Sequence, residues 1–244
     1  MLRISRLRKS FGEQRVLDGI DLEVRDGEVL SFLGPSGTGK STLLRCLIGL
    51  ERADEGTLRI DEAPPFDLRH LGRASLHRLR RSFSMVFQSH NLFVNKTALE
   101  NILEPMVTVQ RMPCGDAGEE AARILALVGM EDKAYPVQLS GGEAQRIGIG
   151  RALAVHAPIM LFDEPTSSLD PERVREVLDV IRLLADERRT MLIVTHELEF
   201  ARQVSTRIAF MNEGRIAAIG APEEIWSDDN PRLRRFLESM SKKG

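Results

Sequence analysis

The sequence has little cysteine and no long apolar run. Among its 244 residues are two cysteines, Cys46 and Cys114, which form neither a CxxC pair nor a spacing typical of metal ligands. We therefore expect both to be packing residues in a reducing compartment. No apolar stretch approaches the length of about 18 residues that a membrane span requires, and the N-terminus lacks the apolar core of a signal peptide. Any association with a membrane is thus expected to depend on a partner.

The chain also lacks an excess of either charge. Its 34 basic and 36 acidic residues give a formal net charge of −2. Such a balance creates no overall positive field that would attract nucleic acid or anionic lipid, so we expect no nucleic-acid partner. With 42% hydrophobic residues and enough length for a full core, the sequence predicts a single domain spanning residues 1–244.

The apolar residues follow two different patterns along the chain. Near-alternation across residues 2–24 predicts strands of an antiparallel part. Short continuous apolar runs at 28–33, 159–162 and 191–195 predict strands that are buried on both faces, as in a parallel sheet. Residues 208–219 predict a hairpin. Because strands alternate with helical patterns, the sequence predicts an α/β fold.

Helical patterns dominate the segment 88–156, interrupted by breaks at 111–116 and 135–136. The segment is therefore expected to be an α-helical subdomain inserted into an α/β core. That core would consist of residues 1–87 and 157–244.

Residues 34–41 read GPSGTGKS and fit the pattern G-x4-G-K-[ST] between a predicted strand and a predicted helix over 41–50. Glycines let successive backbone N–H groups point at phosphate oxygens, and the helix N-terminus adds partial positive charge. We expect Lys40 to reach the β- and γ-phosphates of a nucleotide, and the Ser41 hydroxyl to bind Mg²⁺. The residues expected to surround the phosphates are Gly34, Pro35, Ser36, Gly37, Thr38, Gly39, Lys40, Ser41 and Thr42.

An Asp-Glu pair follows the predicted strand 159–162. Asp163 would lie at the carboxyl end of that strand, where α/β sheets bind ligands, and a carboxylate there can hold Mg²⁺. Glu164 would then be placed to polarise a water molecule in line with the γ-phosphate. Such a pair alone is usually a turn, but the phosphate loop in the same chain favours the functional interpretation.

A third element, LSGGE at residues 139–143, opens a helical segment that extends to 155. A phosphate loop, an LSGG element and a strand that ends in Asp-Glu, in this order, resemble the ATP-binding subunits of ABC transporters. The resemblance covers essentially the whole chain. It implies a P-loop NTPase (RecA-like) core with a parallel sheet, an N-terminal antiparallel β part and the inserted helical subdomain. It also implies ATP and Mg²⁺ as ligands and ATP hydrolysis as the reaction.

The resemblance implies roles for further residues. Phe11 would stack on adenine, Asp170 would belong to the D-loop, and His196 would be the switch histidine. Gln88 would sense Mg²⁺ and the attacking water. Read separately, Phe11 could belong to the core, Gln88 could be a satisfied strand end, and His196 an ordinary helix N-terminal residue. The residues expected to act in catalysis are Glu164, His196, Gln88 and Lys40, and those expected to bind the metal are Ser41, Gln88 and Asp163.

The same resemblance implies an assembly of several chains. Two copies would form a head-to-tail homodimer, with each ATP between residues 34–42 of one subunit and 140–143 of the other. Ser140 and the N–H groups of Gly141 and Gly142 would form a second anion site at a helix N-terminus, with Glu143 beside them. Transmembrane permease subunits would dock on the helical insertion at the cytoplasmic face of the inner membrane. A periplasmic or lipid-anchored solute-binding protein would act indirectly.

Shorter matches resemble the importers of polar amino acids such as histidine, glutamine and arginine. They are MVFQ at 85–88, FDEPT at 162–166, THE at 195–197 and FMNEG at 210–214. Export, or transport linked to methionine, phosphonate or lipoprotein release, stays open. A non-transport ABC protein of DNA repair or of ribosomes is a further alternative, but such proteins usually carry zinc modules, coiled-coil insertions or fused halves.

Some positions depart from the family's usual pattern. Glu143 stands where glutamine is usual, and Ser205 and Thr206 replace an expected Ala-Asp pair. Gly148 and Gly150 replace alanine-like residues of the signature helix, at a helix-propensity cost of about 1 kcal/mol each. None of these changes removes a catalytic group, so we expect them to affect the rate and the solute rather than the reaction.

Overall fold

The computed structural model describes residues 1–131 and 134–241. Residues 132 and 133, within the predicted range 88–156, and residues 242–244, at the end of the predicted domain 1–244, lie outside the described residues. The strands are β1 (Leu2–Phe11), β2 (Gln14–Val24), β3 (Val29–Leu33), β4 (Glu55–Ile60), β5 (Phe66–Asp67), β6 (Phe83–Val86), β7 (Ile159–Asp163), β8 (Thr190–Val194), β9 (Arg207–Asn212) and β10 (Arg215–Gly220). The α-helices are α1 (Lys40–Leu47), α2 (Arg73–Arg81), α3 (Ala98–Glu104), α4 (Cys114–Leu127), α5 (Gly141–Leu153), α6 (Pro171–Asp186), α7 (Leu198–Val204), α8 (Pro222–Ser227) and α9 (Pro231–Ser241).

The strands form two sheets. One has four strands in the order β2-β1-β4-β5, with antiparallel pairing. The other has six strands in the order β10-β9-β3-β8-β7-β6, and it is parallel except for the β9–β10 hairpin. The predicted antiparallel part, parallel sheet and hairpin are thereby confirmed. The continuous apolar runs correspond to β3, β7 and β8, in which every residue is buried.

The core lies on both faces of the six-stranded sheet. On one face, α1 packs between this sheet and the four-stranded sheet, using buried residues such as Leu43, Leu44 and Leu47. On the other face, α5 and α6 pack together with the helices that lie between β6 and β7. Because β3 is covered on both faces, the loop that follows it is held between rigid layers.

The segment between β6 and β7 is helical, as predicted for the inserted subdomain. A π-helical segment, Pro105–Val109, continues α3, and a short 3-10 helix, Pro136–Gln138, precedes α5. The predicted break at 111–116 is too long, because α4 begins at Cys114 directly after Pro113. Along residues 1–131 and 134–241, no helix combines the length and the apolar character that a membrane span needs.

Of the two cysteines, only Cys46 is a packing residue. It is buried in α1, and burial raises the pKa of its thiol to about 12, so it is inert at neutral pH. The prediction that Cys114 packs in the core is wrong, because it lies exposed at the first residue of α4.

The structure gives physical reasons for two of the sequence departures. A Cβ at position 150 would lie 2.9 Å from Ile102 Cδ1, so Gly150 permits close packing of α5 against α3. The hydroxyl of Ser205 donates to Ser31 Oγ at 2.6 Å in the core. The hydroxyl of Thr206 donates to the carbonyl oxygen of Val29 at 2.9 Å, which joins the start of β9 to β3.

Candidate active site

The phosphate loop connects β3 to α1, and its glycines are required by close packing. Gly34 has φ 146°, and a Cβ there would clash with the carbonyl oxygen of Met211. Gly39 has φ 97°, and a Cβ there would lie 2.6 Å from the carbonyl oxygen of Val16. Only glycine adopts such a backbone against neighbouring backbone atoms without strain. The loop is thereby curled around the N-terminus of α1.

Lys40 occupies the centre of this loop. Its Nζ donates to the carbonyl oxygens of Gly34 at 2.8 Å and of Pro35 at 2.9 Å. Burial lowers the pKa of Lys40, while the charges of Glu164 and Asp163 oppose that shift. The ammonium group is therefore a buried cation whose hydrogen bonds can be exchanged for those of a phosphate group.

Asp163 ends β7 beside α1. The residue is only 3% exposed, and Oδ1 has no hydrogen-bond partner within the described residues. Oδ2 lies 3.7 Å from the guanidinium of Arg45. Burial raises the pKa of Asp163, whereas a hydrogen bond with Ser41 and the charge of Arg45 lower it. The unpaired carboxylate oxygen of Asp163 and the neighbouring serine hydroxyl are oxygen ligands of the kind that Mg²⁺ prefers.

Glu164 is held in an unusual backbone conformation. Its φ is 49°, a left-handed value that costs energy for a residue with a side chain. Its Oε1 lies 3.0 Å from His196 Nε2, which comes from the loop after β8. The hydrogen bond with His196 lowers the pKa of Glu164, with burial opposing it. The pair is thus an ionised carboxylate oriented by an imidazole.

Phe11 lies at the mouth of the cleft that contains the phosphate loop. The cleft has a volume of about 310 Å³, and its lining includes Phe11, Lys40 and Glu164. The ring is 47% exposed, with Lys9 Nζ 4.6 Å from its centroid. Phe11 is therefore not a core residue, and about half of it is accessible from the solvent.

Gln88 lies in an adjoining cleft of about 420 Å³, which Arg45, Asp163 and Ser168 also line. Its side chain is exposed, and its carbonyl oxygen accepts from the hydroxyl of Ser168 at 3.3 Å. Gln88 and Asp163 therefore line the same cleft, next to the one that contains the phosphate loop.

The LSGG element forms the N-terminus of α5. Ser140 is the N-cap, and its hydroxyl accepts from the backbone N–H of Glu143 at 3.3 Å. In return, Glu143 Oε2 accepts from the backbone N–H of Ser140 at 2.7 Å, which completes a capping box. A Cβ at Gly142 would lie 3.0 Å from Arg173 Cβ, so the element packs closely on the start of α6. Asp170, the N-cap of α6, is exposed nearby.

The structure brings only some of the predicted residues together. Phe11, the phosphate loop and Glu164 share one cleft, Gln88 and Asp163 share the next, and His196 lines a third cleft with Gly34. Residues 140–143 and Asp170 line none of these three clefts. Within one subunit, the predicted second anion site is therefore separate from the phosphate loop.

Several residues that line these clefts were absent from the predicted site, and Gln14, Val16 and Arg45 lie nearest to its chemistry. Gln14 and Val16 line the phosphate cleft because β2 turns back directly after Phe11. Arg45 faces Asp163 because it follows Ser41 by four residues on α1, which places both on one helix face. That spacing was visible in the sequence, whereas the approach of β2 was not.

The chain is similar to known proteins over nearly its whole length. Residues 17–167 match the family model described as ABC transporter. The chain is 49% identical over 243 residues to a probable amino-acid import ATP-binding protein of Bacillus subtilis, covering 98% of this chain and 97% of that protein. It is 43% identical to the histidine/lysine/arginine/ornithine transport ATP-binding protein of Escherichia coli, covering 99% and 98%.

Solved structures show the same architecture. The ATP-binding cassette MJ0796, a dimer in a post-hydrolysis state bound to ADP and Pi, superposes with a TM-score of 0.79 at 32% identity. The superposition covers 91% of this chain and 99% of that cassette. The fold and its nucleotide cleft are therefore of a type that is known to bind a nucleotide.

Proposed function

This chain belongs to the ABC transporter family, and on that premise we propose that it is the ATP-hydrolysing subunit of an importer for a polar amino acid. The observation that carries the proposal is the cleft in which the phosphate loop, with Lys40 at its centre, meets the Glu164–His196 pair. The amino-acid class is supported by relatives that carry amino-acid import in their names. A sequence match that covers 98% of this chain supports the solute class better than the fold does.

ATP would bind with its phosphates in the loop and its base on Phe11. Backbone N–H groups at the start of α1 have no side-chain cap, so they are available to phosphate oxygens. The ammonium of Lys40 would leave the carbonyl oxygens of Gly34 and Pro35 for the β- and γ-phosphates. The exposed face of Phe11 would stack on the purine.

The side chains of Ser41, Asp163 and Gln88 would hold Mg²⁺ beside the phosphates. These residues fit a hard cation, because Asp163 Oδ1 is a buried oxygen without a partner in the described part of the chain. That part contains no cluster of three or more His, Cys, Asp or Glu side chains able to hold a metal. With a single carboxylate, the site would leave most ligand positions to phosphate oxygens and water. When bound, the ion would neutralise charge on the β- and γ-oxygens.

Glu164 would act on the attacking water. Since the hydrogen bond with His196 keeps its pKa below the usual range, the carboxylate is ionised at neutral pH and can accept a hydrogen bond from water. His196 would fix the orientation of that carboxylate and would lie near the γ-phosphate, since it shares a cleft with Gly34 and Ser36. Hydrolysis is then general-base assistance in a preorganised pocket.

A second copy of the chain would complete the site. Residues 140–143 line none of the three clefts around the phosphate loop, so we propose that the start of α5 meets a phosphate bound by another subunit. The dimeric cassette with a TM-score of 0.79 supports this assembly. ATP held between two subunits would join them, and hydrolysis would let them separate.

The permease would dock beside the helical insertion, at the cytoplasmic face of the membrane. A groove of about 690 Å³ lies between α2 and the far end of the inserted helices. One wall is basic, with Arg73, His77, Arg80 and Arg81, while Val109 and Val155 supply apolar surface. A cytoplasmic loop of a membrane subunit would fit this surface, and a solute-binding protein would act through that subunit.

The proposal is tested by reconstituting the chain with a candidate permease and binding protein in lipid vesicles. Phosphate release should rise when the binding protein is loaded with one polar amino acid, tested singly as arginine, glutamine, histidine and cystine. In the matched Glu164→Gln transporter, release should fall by about 10²–10⁴-fold while ATP still binds. Stimulation by maltose, a metal ion or a peptide alone would overturn the amino-acid class, and unimpaired release in the variant would remove Glu164 as the base.

A further inference from the structure

The segment 87–97, here called the Gln88 loop, follows β6 and forms neither helix nor strand. Its backbone is instead held by side chains from elsewhere. Arg151 of α5 donates to the carbonyl oxygens of Asn91 at 2.6 Å and of His90 at 3.0 Å. Asn101 of α3, which is fully buried, accepts from the N–H of Phe93 at 2.8 Å and donates to its carbonyl oxygen at 3.1 Å. The loop is therefore attached to helices of the insertion.

The most direct attachment is between His90 and Gln145 of α5. Nδ1 of His90 lies 2.6 Å from Gln145 Oε1, and Gln145 Nε2 donates to the carbonyl oxygen of Phe87 at 3.2 Å. Because the amide nitrogen is used at Phe87, its oxygen faces His90, and the imidazole must carry a proton on Nδ1. Gln145 is fully buried, so losing either bond leaves a polar group without water.

This attachment joins two parts of the predicted machinery. Phe87 and His90 flank Gln88, which lies in the cleft beside Asp163. Gln145 follows Ser140, the N-cap of the signature helix, by about one and a half helical turns. A Cβ at Gly148 would lie 3.7 Å from the carbonyl oxygen of His90, so the same face of α5 lies against the loop.

We infer that His90 and Gln145 are positioning residues that make the Gln88 loop and the signature helix α5 move as one unit. ATP bound at a subunit's own phosphate loop would then set the orientation of that subunit's Ser140, which serves the ATP of its partner. The inference rests on the proposed function, because it requires the composite site. It goes beyond that function by naming the bonds through which one site orients the other.

The test measures two quantities on the full-length chain in a Glu164→Gln background, which should accumulate closed dimers. The first is the dissociation constant of ATP for the dilute monomer, and the second is the ATP concentration that gives half-maximal dimer by light scattering. His90→Phe keeps a ring but removes the Nδ1–H donor. It should leave the first quantity unchanged and raise the second by about three- to tenfold, the effect of one lost side-chain hydrogen bond.

Two further variants separate positioning from mere packing. The amide of His90→Asn can donate from nearly the same place as Nδ1–H, so it should restore at least half of the loss. His156→Phe is the matched control, since His156 lies after α5 and outside the Gln88 loop, with its Nε2 3.9 Å from Glu120 Oε1. It should change neither quantity.

The outcomes distinguish this inference from the proposed function. If the parent chain dimerises with ATP but His90→Phe dimerises equally well, the inference is wrong and the composite site stands. If His90→Phe weakens monomer binding and dimer formation together, the role is structural and the inference is again wrong. A parent chain that does not dimerise at any ATP concentration would overturn the composite site itself, and the inference with it.

Discussion

The chain contains two helix N-termini that are each predicted to bind a γ-phosphate, one in its own subunit's ATP and one in its partner's, and they are built differently. The N-terminus of α1 follows Gly39, which is in a left-handed conformation and provides no side-chain cap. The N-terminus of α5 follows Ser140, whose hydroxyl joins a closed capping box with Glu143. Both have the partial positive charge of a helix start, but only the first leaves its N–H groups without a side-chain partner.

The charged groups around the two helix N-termini also favour nucleotide binding at α1 over α5. At α1, a buried ammonium group, a buried carboxylate and the Glu164–His196 pair lie in neighbouring clefts around the phosphate loop. At α5, the nearby charges include Glu143, whose carboxylate is used by the cap, Arg146 of the same helix and Arg173 of α6. The comparison indicates that the first end can bind a nucleotide alone, whereas the second is a stable helix start that adds only a hydroxyl and a dipole.

The largest expected effect comes from damaging the two ends in separate subunits. Lys40→Ala should weaken ATP binding by about ten- to hundredfold, because the phosphates lose a charged donor. Ser140→Arg should still bind ATP as a monomer but should fail to close a dimer. In a Glu164→Gln background, mixing the two variants should trap about one ATP per dimer, since one of two sites combines Lys40 with Ser140.

The control for this mixture is Ser227→Arg, a serine-to-arginine change at an exposed position of α8. A mixture of Ser227→Arg with Lys40→Ala should trap the same amount of ATP as a mixture of the parent chain with Lys40→Ala. If mixing Ser140→Arg with Lys40→Ala traps no more than either variant alone, both ends serve one subunit and the comparison fails.

A smaller effect is expected at Phe11, which belongs to the α1 cleft and has no counterpart at α5. Phe11→Ala should weaken ATP binding by about 1–3 kcal/mol, because a base–aromatic stack is lost. GTP should bind with a modest loss, since the ring offers no hydrogen bond that selects adenine. Titration with ATP and GTP measures both, and Phe11→Tyr serves as the aromatic control. An unchanged dissociation constant for Phe11→Ala would remove the ring from the site.

The body of α5 allows a sharper comparison of two glycines. Gly150→Ala should reduce the free energy of unfolding by about 1–2 kcal/mol, because its Cβ would meet Ile102 Cδ1 at 2.9 Å. Gly148→Ala should increase it by about 1 kcal/mol, because its Cβ has space and alanine favours the helix. Urea unfolding of both variants measures the difference. If both variants change the free energy of unfolding equally, packing against α3 does not determine the effect of Gly150→Ala.

The smallest expected effect concerns Glu143. Hydrogen bonds with Ser140 lower the pKa of its carboxylate, so it carries a negative charge near the proposed γ-phosphate position. Glu143→Gln keeps the capping box and removes the charge, so the ATP concentration for dimer formation should fall by about two- to fivefold. Because the carboxylate is ionised throughout, the gain should be equal at about pH 6 and about pH 8. A gain confined to the higher pH would contradict that assignment.

Much of the fold could be predicted from contiguous patterns. The buried runs gave β3, β7 and β8 within one residue, because a strand covered on both faces is apolar at nearly every position. The predicted break before α4 included residues 114–116, which are helical. Pro113 is the N-cap, and the helix begins directly after it. Exposure of Cys114 could not be predicted, because nothing local says which face of a helix is covered.

The candidate site likewise has parts that local sequence predicts and parts that it does not. The phosphate loop and the capping box are each built from neighbouring residues, so their spacing alone determined which backbone groups face a ligand. The chain order of phosphate loop, LSGG and Asp-Glu was enough to place the chain in its family.

Only the tertiary structure decided which distant segments meet. The contact of Glu164 with His196 depends on β7 and β8 being neighbours in the sheet, and the approach of Arg45 to Asp163 depends on how α1 packs on that sheet. The bond between His90 and Gln145 depends on α5 packing against the loop after β6. Such contacts arise from strand order and helix packing, which are properties of the whole folded chain, so a local pattern cannot contain them.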